Sequence, residues 1–190
     1  MTLRLVVFAV FVLVMGVMLF EMLRAPAGME REHRIEQRRI FSSTRTVTAA
    51  TPDEVIRLLQ TDWSWWKRAR AESMKELRDG RKEFLFHPVR YFGLIEVPPV
   101  FLVRFERMES LADGGKRIHA SLSGDFVGLA EYSARPGPAG TVVELGLRGA
   151  EVRSVLRFVP IALVTSIHCW RERLGAQGLR DRLGSMRNSG

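Results

Sequence analysis

From Leu5 to Phe20 fifteen of sixteen residues are apolar, the other is Gly16, and no face of the run is polar. Extended to Leu3–Leu23, with Arg4 and Glu21 near its ends, the segment reaches the ~20 residues that cross ~30 Å of hydrocarbon at 1.5 Å per residue. Two readings stand: a transmembrane anchor over residues 1–23, or a signal segment cleaved at Ala25-Pro26-Ala27, a small-x-small pattern. The run is longer than the ~7–15 residue core of signal peptides, which favours the anchor. Residues 24–38 read as a polar, charged linker, opened by a helix-breaking Ala-Pro-Ala-Gly.

The pattern then changes to that of a folded domain over residues 39–184. Ile40 to Thr48 is rich in β-branched residues and predicts a strand. Thr51-Pro52-Asp53-Glu54 supplies an N-cap, a first-turn proline and a capping-box acid for a short helix with Val55, Ile56, Leu58 and Leu59 inward. Thr61-Asp62 predicts a second short helix carrying Trp63, Trp65 and Trp66. Next come runs 71–78 and 81–87 about Asp79-Gly80, a strand 91–97, and alternating runs 100–109, 116–123, 124–134 and 141–148. Hairpin-type connections make the sheet antiparallel, because parallel strands need long crossovers. A long helix from about Pro160 to Leu183 closes the domain, with Leu163, Ile167, Trp170 and Leu174 as its apolar face. Val152–Val159 either belongs to that helix or precedes a break at Pro160, and 185–190 reads as a frayed tail.

Composition changes this picture in two places. The mean hydropathy of -0.01 averages a greasy segment with a moderately polar domain. The net charge of +8 is uneven: residues 67–82 hold seven Lys/Arg against three acids, whereas 91–150 hold six against seven. Arg24, Arg31, Arg34, Arg38 and Arg39 follow the apolar segment and only Arg4 precedes it, which places the domain on the cytoplasmic side of a single-pass membrane protein; the alternative is export after cleavage. Arg31, Arg34, Arg38 and Arg39 are candidates to meet anionic headgroups, and a plain solvated basic face is equally compatible. The single Cys169 excludes an intrachain disulfide and Cys-rich metal motifs. No nucleic-acid-binding pattern is present, so no nucleic-acid partner is expected.

Four stretches, in this order and spacing, resemble the START-like superfamily (SRPBCC, or Bet v 1-like), in particular its bacterial polyketide cyclase/dehydrase-like members. They are Thr48–Val55; Thr61-Asp62-Trp63-Ser64-Trp65-Trp66; Gly124-Asp125-Phe126-Val127-Gly128 with Tyr132 and Gly140-Thr141; and His168-Cys169-Trp170 with Gly178-Leu179 and Leu183. Tyr132 stands where the family often has Trp. The resemblance covers residues 38–184 and leaves out the amino-terminal segment. It implies an α+β helix-grip fold, a curved antiparallel sheet of about seven strands wrapped on the long helix, beside the transmembrane helix predicted above.

The resemblance also implies a cavity between sheet and helix for an apolar small molecule, a lipid or a polyketide-like compound. Candidate lining residues are Trp66, Phe84, Phe86, Phe101, Val103 and Phe105, with Phe126, Tyr132, Leu145, Ile167 and Trp170. Each taken singly is as well explained as core. His168 and Tyr132 are the candidate acid–base or orienting groups should the chain be an enzyme. His87 and His119 have no carboxylate at metal-ligand spacing, so neither a metal site nor a cofactor is expected. Asp125, between Gly124 and Phe126, reads as a turn-fixing residue. Three functions remain at this point: non-enzymatic binding or transport of an apolar ligand, a polyketide cyclase or dehydratase, and an interaction module. The oligomeric state is open.

Overall fold

The computed structural model describes residues 30–66, 70–71, 74–87, 89–91, 95–97 and 100–187, together with Gly16 and Phe20. The predicted anchor lies outside that set except for Gly16 and Phe20, both helical. Among the described residues no helix is long and apolar enough to cross a membrane.

The domain is an antiparallel sheet curled around one long helix. Its strands are β1 (Glu30–Glu36), β2 (Arg39–Thr48), β3 (Arg70–Ala71), β4 (Lys75–Glu76), β5 (Lys82–His87), β8 (Phe101–Ser110), β9 (Lys116–Gly124), β10 (Phe126–Gly137) and β11 (Gly140–Val152). The order across the sheet is β1-β2-β11-β10-β9-β8-β5-β3, with β4 also on β5. β6 (Val89–Tyr91) and β7 (Ile95–Val97) form a separate hairpin, so the predicted single strand 91–97 is divided. Helix α1 (Pro52–Thr61) follows β2, and helix α2 (Ile161–Arg187) ends the described chain. α1 starts as its sequence requires: Thr51 Oγ1 accepts from Glu54 N, and the Glu54 carboxylate accepts from Thr51 N at 2.7 Å.

Three local expectations are corrected. The charged linker 24–38 becomes a strand from Glu30, paired residue for residue with β2 up to Glu36 against Arg39. Its described side chains are exposed, and charges suit a strand at a sheet edge. Trp63–Trp66 is a turn, not a helix. Asp62 Oδ1 accepts from Ser64 N at 2.8 Å, and the indole N–H groups of Trp63 and Trp65 donate back to the carbonyls of Leu59 and Asp62, both at 2.6 Å. Val152–Val159 is the end of β11 plus a 3-10 turn (Ser154–Phe158), and α2 continues through Arg187 where a frayed tail was expected. The sheet has nine strands among the described residues where about seven were expected; β1 is an addition, and the predicted run 71–78 is reduced to the two short strands β3 and β4.

The two faces of the sheet are chemically distinct. On the convex face an ion-pair ladder runs from Glu109 on β8 to Arg117, Glu131, Arg148, Glu144 and Arg45 on β2, each step between 3.0 and 3.3 Å. On the concave face β5, β8 and β10 bury Phe84, Phe86, Val103, Phe105, Phe126 and Tyr132. At the β2 side that face carries Ile40, Ser42, Thr44, Thr46 and Thr48, all buried. α2 packs chiefly on this hydroxyl-bearing side, against β2 and β11.

Candidate functional site

The aromatic side chains converge on Trp63. Its ring centroid lies 4.4 Å from Phe84, 4.9 Å from Trp65, 5.4 Å from Tyr132, 5.7 Å from Trp66 and 6.2 Å from Phe105. Rings packed at these spacings, stacked on Phe84 and Trp66 and edge-on to Tyr132, leave little free volume. Between them and α2 lies a cavity of about 30 Å³, room for about two water-sized spheres. The open apolar space implied by the sequence is therefore largely filled in this conformation.

The cavity is walled by two different chemistries. Trp63, Trp66, Phe86, Phe101, Val103, Leu122, Leu145 and Leu147 make the apolar wall. His168, Arg171 and Glu172 from α2 line it as well, with Tyr132 and Gly146. Gly175 lets the helix sit over Trp66, since a Cβ there would fall 2.7 Å from the indole.

The polar wall is ordered by hydrogen bonds. Glu172, on α2 four residues after His168, is buried. Its Oε1 accepts from Ser42 Oγ at 2.8 Å and lies 2.9 Å from His168 Nε2. Its Oε2 accepts from Thr44 Oγ1 at 3.3 Å. A carboxylate only accepts, so this network assigns the Nε2 proton to His168 as donor. Ser42 Oγ gives its one proton to Glu172 and accepts from the Leu147 N–H at 3.3 Å. The buried hydroxyls of β2 thus meet the carboxylate of the helix that covers them, as buried polar groups require.

This arrangement is not a Ser–His–acid relay. Such a relay needs the acid on Nδ1 and the hydroxyl on Nε2. Here Ser42 and Glu172 both lie at Nε2, and the serine proton points to the carboxylate. Tyr132 contributes a hydroxyl kept protonated: burial first, and the Glu172 charge second, push its pKa above the ordinary phenol value. It can donate a hydrogen bond to a ligand, and is poorly suited to act as a base. The Arg171 guanidinium is buried and lies 5.1 Å from the Phe86 ring centroid.

Of the residues anticipated from sequence, Trp66, Phe86, Phe101, Val103, Tyr132, Leu145 and His168 come together around the cavity. Phe84, Phe105 and Phe126 pack among the rings without lining it. Ile167 is half-buried and Trp170 is buried, and neither lines the cavity. The predicted helix face holds in part: Trp170 is buried and Leu163, Ile167 and Leu174 are half-buried, while a stripe one residue on, with Val164, His168, Glu172, Ala176, Leu179 and Leu183, is buried throughout. One residue turns the face by about 100°. Sequence reasoning missed Ser42, Thr44, Arg171 and Glu172. The available signals were the i,i+4 spacing of His168 and Glu172 and the alternating hydroxyls of the first strand. Asp125 sits between β9 and β10, and its Oδ2 accepts from Val100 N at 2.8 Å, which ties that junction to the start of β8. His119 sits on the convex face 3.3 Å from Glu109, and no group of three or more metal-binding side chains occurs among the described residues.

No protein-family profile and no curated protein matches the chain. Solved structures do. A STAR-related lipid transfer protein from Xanthomonas axonopodis superposes with a TM-score of 0.62 at 14% identity, covering 83% of this chain and 94% of that one. Human StAR-related lipid transfer protein 5 gives 0.63 at 12% identity, covering 85% of each chain. A START superfamily protein from Mycobacterium smegmatis gives 0.52 at 16%, covering 82% and 99%. The fold is that of the START/SRPBCC superfamily. Within this START fold, the space between sheet and terminal helix is the cavity described above, and its polar wall comes from residues of this chain's own helix and first strand.

Proposed function

We propose that the chain is a membrane-tethered START-fold protein that binds an amphiphile between sheet and helix. The apolar part lies against the aromatic wall, and a hydrogen-bond-donating head, a hydroxyl or an ammonium, meets Glu172 beside His168 and Tyr132. The observation that carries this reading is the two-sided wall: a buried, ordered carboxylate, with His168, Arg171 and Tyr132 beside it, faces the aromatic and aliphatic side chains of the same cavity. Pockets for small molecules combine those features. The names of the neighbouring lipid transfer proteins support it at the level of fold. Residues 3–23 form the tether, and the arginines that follow them hold the domain on the cytoplasmic side. A ligand of lipid size requires α2 to move away from the aromatic wall, since 30 Å³ holds none.

The test is a titration of the full chain, held in amphipol, with long-chain alcohols, amines and carboxylates, read by tryptophan emission from Trp63 and Trp66. Alcohols and amines are expected to bind in preference to carboxylates. Glu172→Gln keeps the side-chain shape but removes the charge, and a hydrogen bond to a charged group is worth about 1.5–3 kcal/mol. It is expected to weaken alcohol and amine binding by about tenfold or more. Unchanged binding would place the head elsewhere.

Two observations favour other readings. Tyr132 and His168 line one cavity, as a polyketide cyclase or dehydratase would need. Against that use, His168 Nε2 is engaged by Glu172 and Tyr132 is held protonated. The filled interior favours an interaction module that uses the fold as a scaffold. Failure of every amphiphile to perturb Trp63 or Trp66 would support that module.

A further inference from the structure

Among the described residues three non-glycine residues have φ in the left-handed region: Gln37 at 45°, Arg38 at 64° and Ser154 at 53°. All three belong to two turns that touch. Gln37-Arg38 is the two-residue turn between β1 and β2, closed by Glu36 opposite Arg39. Two left-handed residues in succession are the geometry that hairpins usually give to Asn-Gly. Ser154 opens the 3-10 turn before α2. Arg38 Nη2 donates to the Arg157 carbonyl at 2.7 Å and joins the two turns. Such backbone strain persists only where the surroundings enforce it, and it concentrates at functional sites.

The same tip carries the most exposed large apolar side chain among the described residues, Phe158, at 76%. It is not a loose end. Leu156 beside it is buried, Val159 N bonds to Leu156 O at 3.1 Å, and Arg153 N bonds to Asp125 O at 2.8 Å. The Arg157 guanidinium lies 4.6 Å from the Phe158 ring centroid. Arg157 lies over the ring, Arg38 bonds to the Arg157 carbonyl, and Arg39 and Arg153 flank the two turns in sequence. The acids here are already engaged: Glu36 with Arg34 at 3.1 Å, Glu151 with Arg153 at 2.7 Å, and the Asp125 carboxylate with the Val100 N–H.

We propose that this tip docks on an anionic lipid surface, with Phe158 entering the headgroup region and Arg38, Arg39 and Arg157 meeting lipid phosphates and carboxylates. An exposed ring on a tip whose Arg38, Arg39 and Arg157 have no ion pair among the described residues fits a surface that is apolar below and negative above. The reach is compatible with tethering to the same bilayer. From Leu23 to Glu30 the chain spans at most about 25 Å, and the seven residues of β1 cover about 24 Å from Glu30 to the tip. The inference does not depend on whether the cavity holds a ligand.

The test uses the full chain reconstituted in vesicles, with an environment-sensitive fluorophore on Ala162→Cys, exposed one turn beyond Phe158; native Cys169 is buried. A second labelled variant, Met108→Cys, is exposed at the opposite end of β8. In phosphatidylcholine vesicles with about 30% phosphatidylserine, the Ala162 label is expected to shift to the blue and to be quenched by brominated lipid, while the Met108 label is not. The shift should vanish in pure phosphatidylcholine and in about 1 M salt, where screening falls to ~3 Å. Arg38→Gln and Arg157→Gln should each lower the docked-to-undocked ratio about fivefold. Phe158→Ser, at an exposed position where circular dichroism is expected to show an unchanged fold, should abolish docking. Equal shifts at both labels, equal shifts in neutral and anionic vesicles, or no shift would each overturn the proposal.

Discussion

Trp63→Ala is expected to lower the unfolding free energy by about 3–5 kcal/mol, the usual cost of deleting a large buried ring. The position is chosen because Trp63 is the hub of the concave face, within 6.2 Å of five other rings. Its indole N–H also closes the turn after α1 by donating to Leu59 O. The deletion therefore removes apolar contacts on several strands and unpins the α1 end together. Against a total stability of about 5–15 kcal/mol the loss is severe, and urea unfolding followed by circular dichroism measures it. The vacated volume adjoins the cavity, so indole added to the variant should restore part of the loss. A cost below about 1 kcal/mol would show that the rings do not act as one packed unit.

Gly146→Ala is expected to cost about 3 kcal/mol through a backbone clash. Gly146 lies on β11 between Leu145 and Leu147, opposite Ser43 of β2. A methyl group there would press inside van der Waals contact of the Ser42 carbonyl oxygen. No rotamer change relieves such an overlap, because the obstacle is main chain. β2 would have to part from β11 at Ser42, the residue whose hydroxyl links Leu147 N to Glu172. Stability and the polar wall should fail together: unfolding shifts to lower urea, and alcohol binding falls with it. Stability within about 0.5 kcal/mol of the parent chain would mean that the two strands have slack at this point.

What could be read along the chain was whatever is decided locally. The capping box at Thr51 and Glu54, the turn at Asp79-Gly80 and the alternation of Phe101, Val103 and Phe105 depend on neighbours in sequence, and each is where its residues predict, although the run 71–78 before that turn yields only the short strands β3 and β4. β1 was misread because a strand of Glu, Arg and His has no apolar face; it exists by pairing with β2. The Trp63–Trp66 turn was misread because its stops are side-chain bonds from Asp62 and the indoles, which no periodicity records.

The partly misassigned face of α2 has a more informative cause. The helix lies on the Ser42–Thr48 stripe of β2, so its inner positions include His168 and Glu172. The apolar periodicity of Leu163, Ile167, Trp170 and Leu174 consequently runs beside that stripe, with only Trp170 fully buried. The aromatic half of the site was legible because aromatic side chains on alternating strands face one way. The polar half was not, since Ser42 and Glu172 meet across 130 residues of chain.

The central claim is that the space between sheet and helix takes an amphiphile by its head at Glu172. The most direct measurement is native mass spectrometry of the full chain, drawn from its own membranes in amphipol and released in the gas phase, followed by organic extraction. The account predicts one amphiphile per chain, recovered on extraction as a compound with a hydroxyl or amine head, and lost in the Glu172→Gln variant. A bare chain mass with nothing extracted, or the same adduct on both chains, would contradict it.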